Sequence, residues 1–184
     1  MYILVMKKFL IVCGQEGAGK TTFASTINSH ADKCAALDAE EVGQVNPWVF
    51  DDAFVRLLFD NVLDVVHNFF EHDYEKVVAG SFINTREDFD NFRKELKYDP
   101  EIYILILRAS KEVRDKRRLA RKNKPTDQEM MDWVDENYSF EKTLQTLIDT
   151  PHEGVYQLIE VDNSNVTNEQ AIEEVKKKIP DFFN

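Results

Sequence analysis

The sequence predicts an α/β domain built on a parallel sheet, and two patterns lead to this prediction. Short apolar runs alternate along the chain with longer stretches of helical periodicity, as in layered α/β folds. The runs at residues 9–12 and 102–107 show no alternation between polar and apolar residues. Strands covered on both faces have this composition. We therefore expect one domain over residues 1–184, with no linker and no internal repeat.

The remaining strands are predicted from three weaker apolar segments. Residues 34–37 and 76–79 are short candidates for buried strands of the same kind. Residues 155–161 carry polar residues between the apolar ones, which suits a strand at the edge of a sheet. With the two runs above, these segments make five predicted strands.

The helices are predicted from apolar residues at helical spacing and from capping residues. The clearest periodic segment follows residue 53, and residues 89–96 repeat the pattern more briefly. Thr-x-x-Glu at 126–129 and Thr-x-x-Gln at 167–170 are capping boxes that predict the starts of two later helices. The expected apolar stripe of the helix after residue 53 consists of Phe54, Leu57, Leu58, Val62, Val65, Val66 and Phe69.

The composition excludes several classes of function. Lys and Arg number 23 against 34 Asp and Glu, a net charge of −11 that repels phosphate backbones and anionic lipids. We therefore expect neither polymeric nucleic acid nor a membrane as a partner. Two cysteines and four histidines show no spacing typical of a disulfide framework or a metal site. No apolar run approaches the roughly 20 residues of a membrane span, and no signal peptide is recognisable, so we expect a cytoplasmic protein.

Residues 14–21 carry the most specific motif of the chain. They read Gly-Gln-Glu-Gly-Ala-Gly-Lys-Thr, which fits Gly-x-x-x-x-Gly-Lys-Ser/Thr at every fixed position, between a predicted strand and a predicted helix. Backbone N–H groups of such a loop surround a phosphate, while Lys20 reaches the β- and γ-phosphates and Thr21 ligates Mg²⁺. We expect ATP and Mg²⁺ as ligands. The predicted nucleotide-binding residues are Gly14, Gly17, Ala18, Gly19, Lys20, Thr21 and Thr22.

A second basic cluster follows the strand at 102–107. Arg114, Arg117 and Arg121 are spaced three and four residues apart, so they share one face of the predicted helix, and Arg118 lies beside them. Such a cluster suits phosphoryl transfer, in which negative charge spreads over the γ-phosphate oxygens. The alternative is a solvated basic face balanced by acidic residues nearby. We expect a short lid over about residues 114–127, with a loop at 122–125.

With these motifs the chain resembles the small P-loop kinases, the branch that holds adenylate kinase, nucleoside kinases, shikimate and gluconate kinases and the kinase domain of polynucleotide kinase. The resemblance implies a three-layer P-loop NTPase fold, with a five-stranded parallel sheet in the order 2-3-1-4-5. It also implies that Arg117 and Arg121 are lid arginines and that residues 162–166 contact adenine through their backbone. The matching segments are residues 14–22, 35–38, 77–86, 107–121 and 161–167.

The resemblance also suggests where the phosphoryl acceptor binds. Asp38 follows the second strand, where it would bind or deprotonate the acceptor or contact Mg²⁺ through water; its alternative role is to cap a helix. Arg86 follows the third strand and matches an acceptor-binding arginine, or else it pairs with an acidic neighbour. Trp48 and Phe50 lie in the segment that covers the acceptor, where an aromatic ring could stack on it.

Two departures from the family pattern narrow the function. Gly80 stands where polynucleotide-kinase-like members carry an Asp, and no Walker-B aspartate ends an apolar strand. The guanine-specifying Asn-Lys-x-Asp pattern is absent, which argues against a GTPase switch.

The sequence therefore predicts an ATP-dependent phosphotransferase acting on a small-molecule acceptor, with a nucleoside or nucleotide favoured. The alternatives are a kinase for a sugar or other metabolite, a non-catalytic ATP-binding regulatory protein and a stand-alone ATPase. Oligomeric state stays open. The predicted catalytic residues are Lys20, Asp38, Arg117 and Arg121, with Asp38, Arg86 and Trp48 at the acceptor and Thr21 on the metal.

Overall fold

A computed structural model describes residues 6–49, 51–122 and 126–184. Its centre is a sheet of five strands in the order β2-β3-β1-β4-β5, and all four strand pairs are parallel. The predicted order 2-3-1-4-5 and the edge position of the last strand are therefore confirmed. The strands are β1 (Lys8–Cys13), β2 (Cys34–Asp38), β3 (Lys76–Gly80), β4 (Glu101–Arg108) and β5 (Gln157–Asp162).

Helices connect the strands and cover both faces of the sheet. In the described part of the chain they are α1 (Lys20–His30), α2 (Ala39–Val42), α3 (Asp52–Glu71), α4 (Arg86–Glu95), α5 (Lys111–Leu119), α6 (Gln128–Asn137), α7 (Phe140–Asp149), α8 (Asn168–Lys178) and α9 (Pro180–Phe183). None of these helices is both long enough and apolar enough to cross a membrane.

Two apolar cores lie on opposite faces of the sheet because successive strand residues point in opposite directions. Phe9 and Ile11 of β1 belong to the core under α3, α4 and α7, whereas Leu10 and Val12 belong to the core under α1, α8 and α9. The fold therefore has the three predicted layers. Cys13 is a free thiol beneath the first face, and burial raises its pKa to about 12, so it stays protonated.

The apolar stripe predicted for α3 is partly wrong. The structure buries a narrower face of that helix, and Leu57 is 41% exposed. The apolar residues of α3 are numerous enough that their spacing is compatible with more than one buried face. Packing against the sheet determines which of these faces is buried. The buried apolar residues of α3 are Phe59, Val62, Leu63, Val66 and Phe70.

The predicted start of α8 agrees with the structure, whereas α6 begins one residue later than predicted. Both hydrogen bonds of the box formed by Thr167 and Gln170 are present at the start of α8. At α6 the cap is Asp127 and not Thr126, because the carboxylate of Asp127 accepts the Met130 N–H at 2.9 Å. Asp is as good a cap as Thr, so the motif alone does not choose between them.

Candidate active site

The carboxyl end of β1 opens directly into the loop of residues 14–19, and α1 begins at the next residue. Gly19 is the N-cap of α1 and adopts a left-handed conformation with φ 98°, without a side-chain hydrogen bond to cap the helix. The first N–H groups of α1 thus have no capping side chain, and the positive end of the helix dipole faces the loop. Such a helix start is suited to bind a phosphate.

Gly14 and Gly17 allow the loop to lie against neighbouring elements. A Cβ atom at Gly14 would lie 2.5 Å from the carbonyl oxygen of Leu107 in β4, and one at Gly17 would lie 2.9 Å from the carbonyl oxygen of Arg114 in α5. Both distances are too short for a side chain. The loop is therefore packed between the end of β4 and the arginine-bearing helix.

Lys20 is half-buried beside this loop. Its Nζ donates a hydrogen bond to the Gly14 carbonyl at 2.9 Å. Burial lowers the pKa of Lys20, against the opposing effect of the nearby carboxylates Glu40 and Asp38. An ammonium whose charged form is disfavoured would gain from a phosphate in the loop, because the anion supplies an additional opposite charge.

Asp38 stands beside Thr21. The Thr21 hydroxyl donates a hydrogen bond to Asp38 Oδ2, and Oδ1 accepts the Glu40 N–H at 3.0 Å to cap α2. The capping role considered from the sequence is thus present, and the same carboxylate also contacts the predicted metal ligand. A hydroxyl and a carboxylate fit Mg²⁺, which prefers oxygen ligands. Among the described residues, no group of three or more His, Cys, Asp or Glu side chains is arranged to hold a metal ion.

Three arginines of the cluster reach the loop, each at a different point. Arg114 Nη1 donates to the Glu16 carbonyl at 3.2 Å, Arg117 Nη1 to the Ala18 carbonyl at 3.1 Å, and Arg121 Nη1 to the Glu16 carboxylate at 3.1 Å. The face predicted from their spacing is therefore the face that contacts the loop.

Arg117 is positioned by a residue that the sequence interpretation did not assign. Asn163 accepts from Arg117 through its side-chain oxygen at 3.0 Å and its carbonyl at 2.9 Å, and its amide donates to the Ala18 carbonyl at 2.9 Å. The side chain is almost completely buried. The sequence signal for this role is the position of Asn163 directly after β5, at the same edge of the sheet as the loop. The family resemblance implied only backbone contacts for this segment.

Arg118 and Arg114 also form a buried ion-pair network with Asp135 of α6. Arg114 Nη1 lies 2.9 Å from Asp135 Oδ1, and Arg118 Nη2 lies 3.1 Å from Oδ2. Although burial acts in the opposite direction, the hydrogen bonds from both arginines hold the pKa of Asp135 below its ordinary value. Arg118 also pairs with Asp115, so the alternative of acidic balancing holds for this part of the cluster.

Gln15 joins the same region to the loop. Its side-chain amide donates to Asp135 Oδ1 at 3.3 Å and to the Tyr138 carbonyl at 3.0 Å, and its oxygen accepts the Phe140 N–H at 2.7 Å. The motif leaves this position unspecified, so no sequence signal pointed to it. The phosphate loop, α5 and the α6–α7 connection thus form one hydrogen-bonded unit.

Comparisons with known proteins agree with this geometry. No family model and no curated protein matches the sequence. Among solved structures, an unliganded sugar kinase from Janibacter sp. HTCC2649 matches with a TM-score of 0.63 at 16% identity, over 95% of each chain. A gluconokinase from Sinorhizobium meliloti 1021 matches with a TM-score of 0.62 at 14% identity, over 97% of this chain and 94% of the other. The Deinococcus radiodurans tunicamycin resistance protein matches with a TM-score of 0.60 at 17% identity, over 94% and 95%.

The chain has the fold of the small P-loop kinases. At 14–17% identity the similarity shows the fold and leaves the acceptor to be argued from the residues of this chain.

Arg86, which the family resemblance suggested as an acceptor contact, is held in place by its surroundings. Its Nε donates to Asp90 at 2.8 Å, its Nη1 donates to the Pro151 carbonyl at 2.8 Å, and the guanidinium lies 5.5 Å from the centre of the Tyr156 ring. The structure thus contains the pairing with Asp90 that was the alternative to an acceptor contact. In this conformation Arg86 links the start of α4 by a hydrogen bond to the segment that follows α7.

Trp48 is well exposed and lies before α3. Its side chain is 59% accessible, and its ring meets Phe54 edge-on with centroids 6.0 Å apart. Phe50, the other aromatic residue considered for stacking, lies outside the described residues, as do residues 123–125 of the expected lid loop.

A cleft of about 330 Å³ opens between α3 and α4. Arg56 of α3 lies here and pairs with Asp60 and Glu95. Six of the eight lining residues are charged or polar. The lining residues are Asp52, Val55, Arg56, Phe59, Asp88, Asn91, Lys94 and Glu95.

Proposed function

We propose that this protein is an ATP-dependent phosphotransferase that moves the γ-phosphoryl group of Mg-ATP to a hydroxyl of a small acceptor. The observation that carries the proposal is the convergence of Lys20, Arg117 and Asp38 around one phosphate loop. A nucleotide-binding protein without catalysis has little use for arginines against the loop and a carboxylate beside the metal position. The P-loop kinase fold supports the same conclusion.

Each residue has a role that follows from its contacts. The N–H groups at the start of α1 and Lys20 would bind the phosphates. Thr21 would hold Mg²⁺, which when bound neutralises charge on the phosphate oxygens. Arg117 uses its Nη atoms for Asn163 and Ala18, and a guanidinium carries five N–H donors, so donors remain for the transferring group. Asp38 would orient the acceptor hydroxyl and accept its proton.

For the acceptor we propose a small hydroxylated metabolite. Six of the eight residues that line the cleft between α3 and α4 are charged or polar, and such side chains can hydrogen-bond the hydroxyl groups of a sugar or sugar acid. Two similar structures are named a sugar kinase and a gluconokinase. A nucleoside or nucleotide is the second candidate, supported by the exposed ring of Trp48 next to Phe54.

The test is acceptor-dependent release of ADP. The protein is incubated with Mg-ATP and separate panels of sugars, sugar acids, nucleosides and nucleotides, and ADP is measured. We expect ADP with members of one panel and none without an acceptor. Turnover without an acceptor would indicate an ATPase, and binding of ATP without turnover on every panel would contradict the kinase proposal in favour of a regulatory protein.

Two lysine variants assign any activity to the site. Lys20→Ala removes the cation of the loop and is expected to abolish turnover. Lys176→Ala makes the same change on α8, where the side chain pairs with Glu173, and is expected to leave turnover unchanged. Equal activity in both variants would show that the measured kinase is a contaminant.

A further inference from the structure

Ser81 combines two unfavourable features at the edge of the sheet where the phosphate loop lies. It is the first residue after β3, and its backbone is left-handed with φ 71°. For a residue other than glycine this conformation is strained, because Cβ approaches the backbone. Strain of this kind is concentrated at functional sites, where the surrounding structure holds it in place.

The side chain of Ser81 adds a second cost. Its hydroxyl oxygen is buried from solvent and has no hydrogen-bond partner among the described residues. Buried hydroxyl groups are normally paired, and leaving one unpaired disfavours the folded state. Glycine at this position would remove both the strain and the unpaired hydroxyl. A hydroxyl kept at this double cost is best explained by a partner that a ligand brings.

The position of Ser81 indicates what that ligand is. Gly80, the residue before it, pairs with Val12 of β1 on one side and with Asp38 of β2 on the other. A Cβ atom at Gly80 would lie 3.8 Å from the Cβ atom of Lys20. Ser81 therefore follows a residue that lies between the predicted phosphate-binding lysine and the predicted base. A hydroxyl can donate a hydrogen bond to a phosphate oxygen in such surroundings.

The strand order separates Ser81 from the other phosphate contacts. β3 lies on one side of β1, whereas β4, β5 and the contact between Arg117 and Asn163 lie on the other. The loop at the end of β1 is thus flanked by the arginine on one side and by Ser81 on the other. The side of Ser81 is also the side of Asp38, where the phosphoryl group must meet its acceptor.

We propose that the Ser81 hydroxyl donates a hydrogen bond to the terminal phosphate of a bound nucleoside triphosphate, so that the site distinguishes a triphosphate from a diphosphate. This inference rests on the proposed function, because it assumes that the loop binds ATP. It names a binding residue outside the loop motif, directly after β3.

The experiment compares two nucleotides in direct binding titrations, with no acceptor present. Kd is measured for Mg-ADP and for Mg²⁺ with the non-hydrolysable imido analogue of ATP, for the wild type, Ser81→Ala and Ser81→Gly. We expect both variants to bind the triphosphate analogue about 10- to 150-fold more weakly, the loss typical of one hydrogen bond to a charged group, and to bind ADP as the wild type does. Ser29→Ala, at the far end of α1, is the matched control and should change neither Kd.

Thermal unfolding is measured to establish that both variants are folded. Ser81→Gly is expected to unfold at a temperature equal to or above that of the wild type, since it removes the strain and the unpaired hydroxyl. An unchanged ratio of the two Kd values in both folded variants would overturn the role of Ser81 while leaving the kinase proposal standing. Failure of the wild type to bind either nucleotide would instead overturn both.

Discussion

The hydroxyl of Thr21 in α1 donates a hydrogen bond to the carboxylate of Asp38 at the end of β2. The two strands that lead to these residues are not neighbours, because β3 lies between β1 and β2. The contact therefore passes across the carboxyl end of β3, where Gly80 has no side chain. It brings the predicted metal ligand and the predicted base of the reaction into direct contact.

The first prediction tests Asp38 with Asp38→Asn. Asparagine caps helices as well as aspartate does, so its oxygen can still accept the Glu40 N–H, and its amide NH₂ can donate to the Thr21 hydroxyl in place of the accepted bond. Stability should therefore be nearly unchanged. Asparagine cannot accept the acceptor proton, and kcat should fall by at least about 100-fold. Asp51→Asn makes the same change at the cap of α3, where the side chain accepts the Phe54 N–H, and should leave kcat unchanged. Similar kcat values for the two variants would remove Asp38 from the mechanism.

The second prediction concerns Arg117. Arg117→Ala should lower kcat by about 1,000-fold, in the range found when arginines that stabilise phosphoryl-transfer transition states are removed. The Kd of Mg-ATP should change much less, because α1 and Lys20 still bind the phosphates. The control is Arg93→Ala, which removes the ion pair between Arg93 of α4 and Asp99. A loss of ATP affinity as large as the loss of kcat would show that Arg117 binds the ground state and not the transition state.

The third prediction separates close packing from backbone conformation in the phosphate loop. Gly17 and Gly154 both have positive φ, 83° and 75°, but only Gly17 is packed against a neighbour. Gly154→Ala should cost about 1 kcal/mol of unfolding free energy, the cost of a left-handed alanine. Gly17→Ala should cost more and weaken nucleotide binding, because its Cβ would collide with the backbone of Arg114. Equal unfolding free energies for both variants in urea titrations would contradict this packing.

The fourth prediction is a pH dependence of stability from Asp135. Its pKa is lowered in the folded state, so its ion pairs stabilise the protein fully above its ordinary value of 3.8. This stabilisation is lost as the pH falls through the lower, folded value. Asp135→Asn should therefore reduce the unfolding free energy by about 3 kcal/mol at pH 7, as expected when one partner of a buried pair is removed. The difference from the wild type should shrink below pH 3.8.

Asp132→Asn is the control for this measurement. Asp132 also lies on α6 and pairs with Lys111, but on the exposed surface, so its removal should have a clearly smaller effect at pH 7. If the two variants lose equal stability, or if the loss from Asp135→Asn does not depend on pH, the buried network does not support α6 as described.

Local signals predicted the parts of the fold that depend on neighbouring residues in the chain. The box of Thr167 and Gln170 starts α8 as expected, since both partners lie within one helical turn. At α6 two adjacent residues could each cap the helix, and the structure uses Asp127 and not Thr126. On α3, Leu57 had the spacing of a core residue, yet the sheet covers a different face of the helix.

Sequence patterns were sufficient to predict the phosphate loop, the parallel sheet and the common face of Arg114, Arg117 and Arg121. These features follow from fixed spacings in a strand, a loop and a helix. The hydrogen-bond partners, in contrast, depend on how distant segments pack together: Asn163 for Arg117, Asp135 for the buried arginines, and none among the described residues for the Ser81 hydroxyl. Arg117 and Asn163 lie far apart in the chain and meet because β4 and β5 bring their carboxyl ends to one edge of the sheet. Asp135 meets the buried arginines because α6 packs against α5.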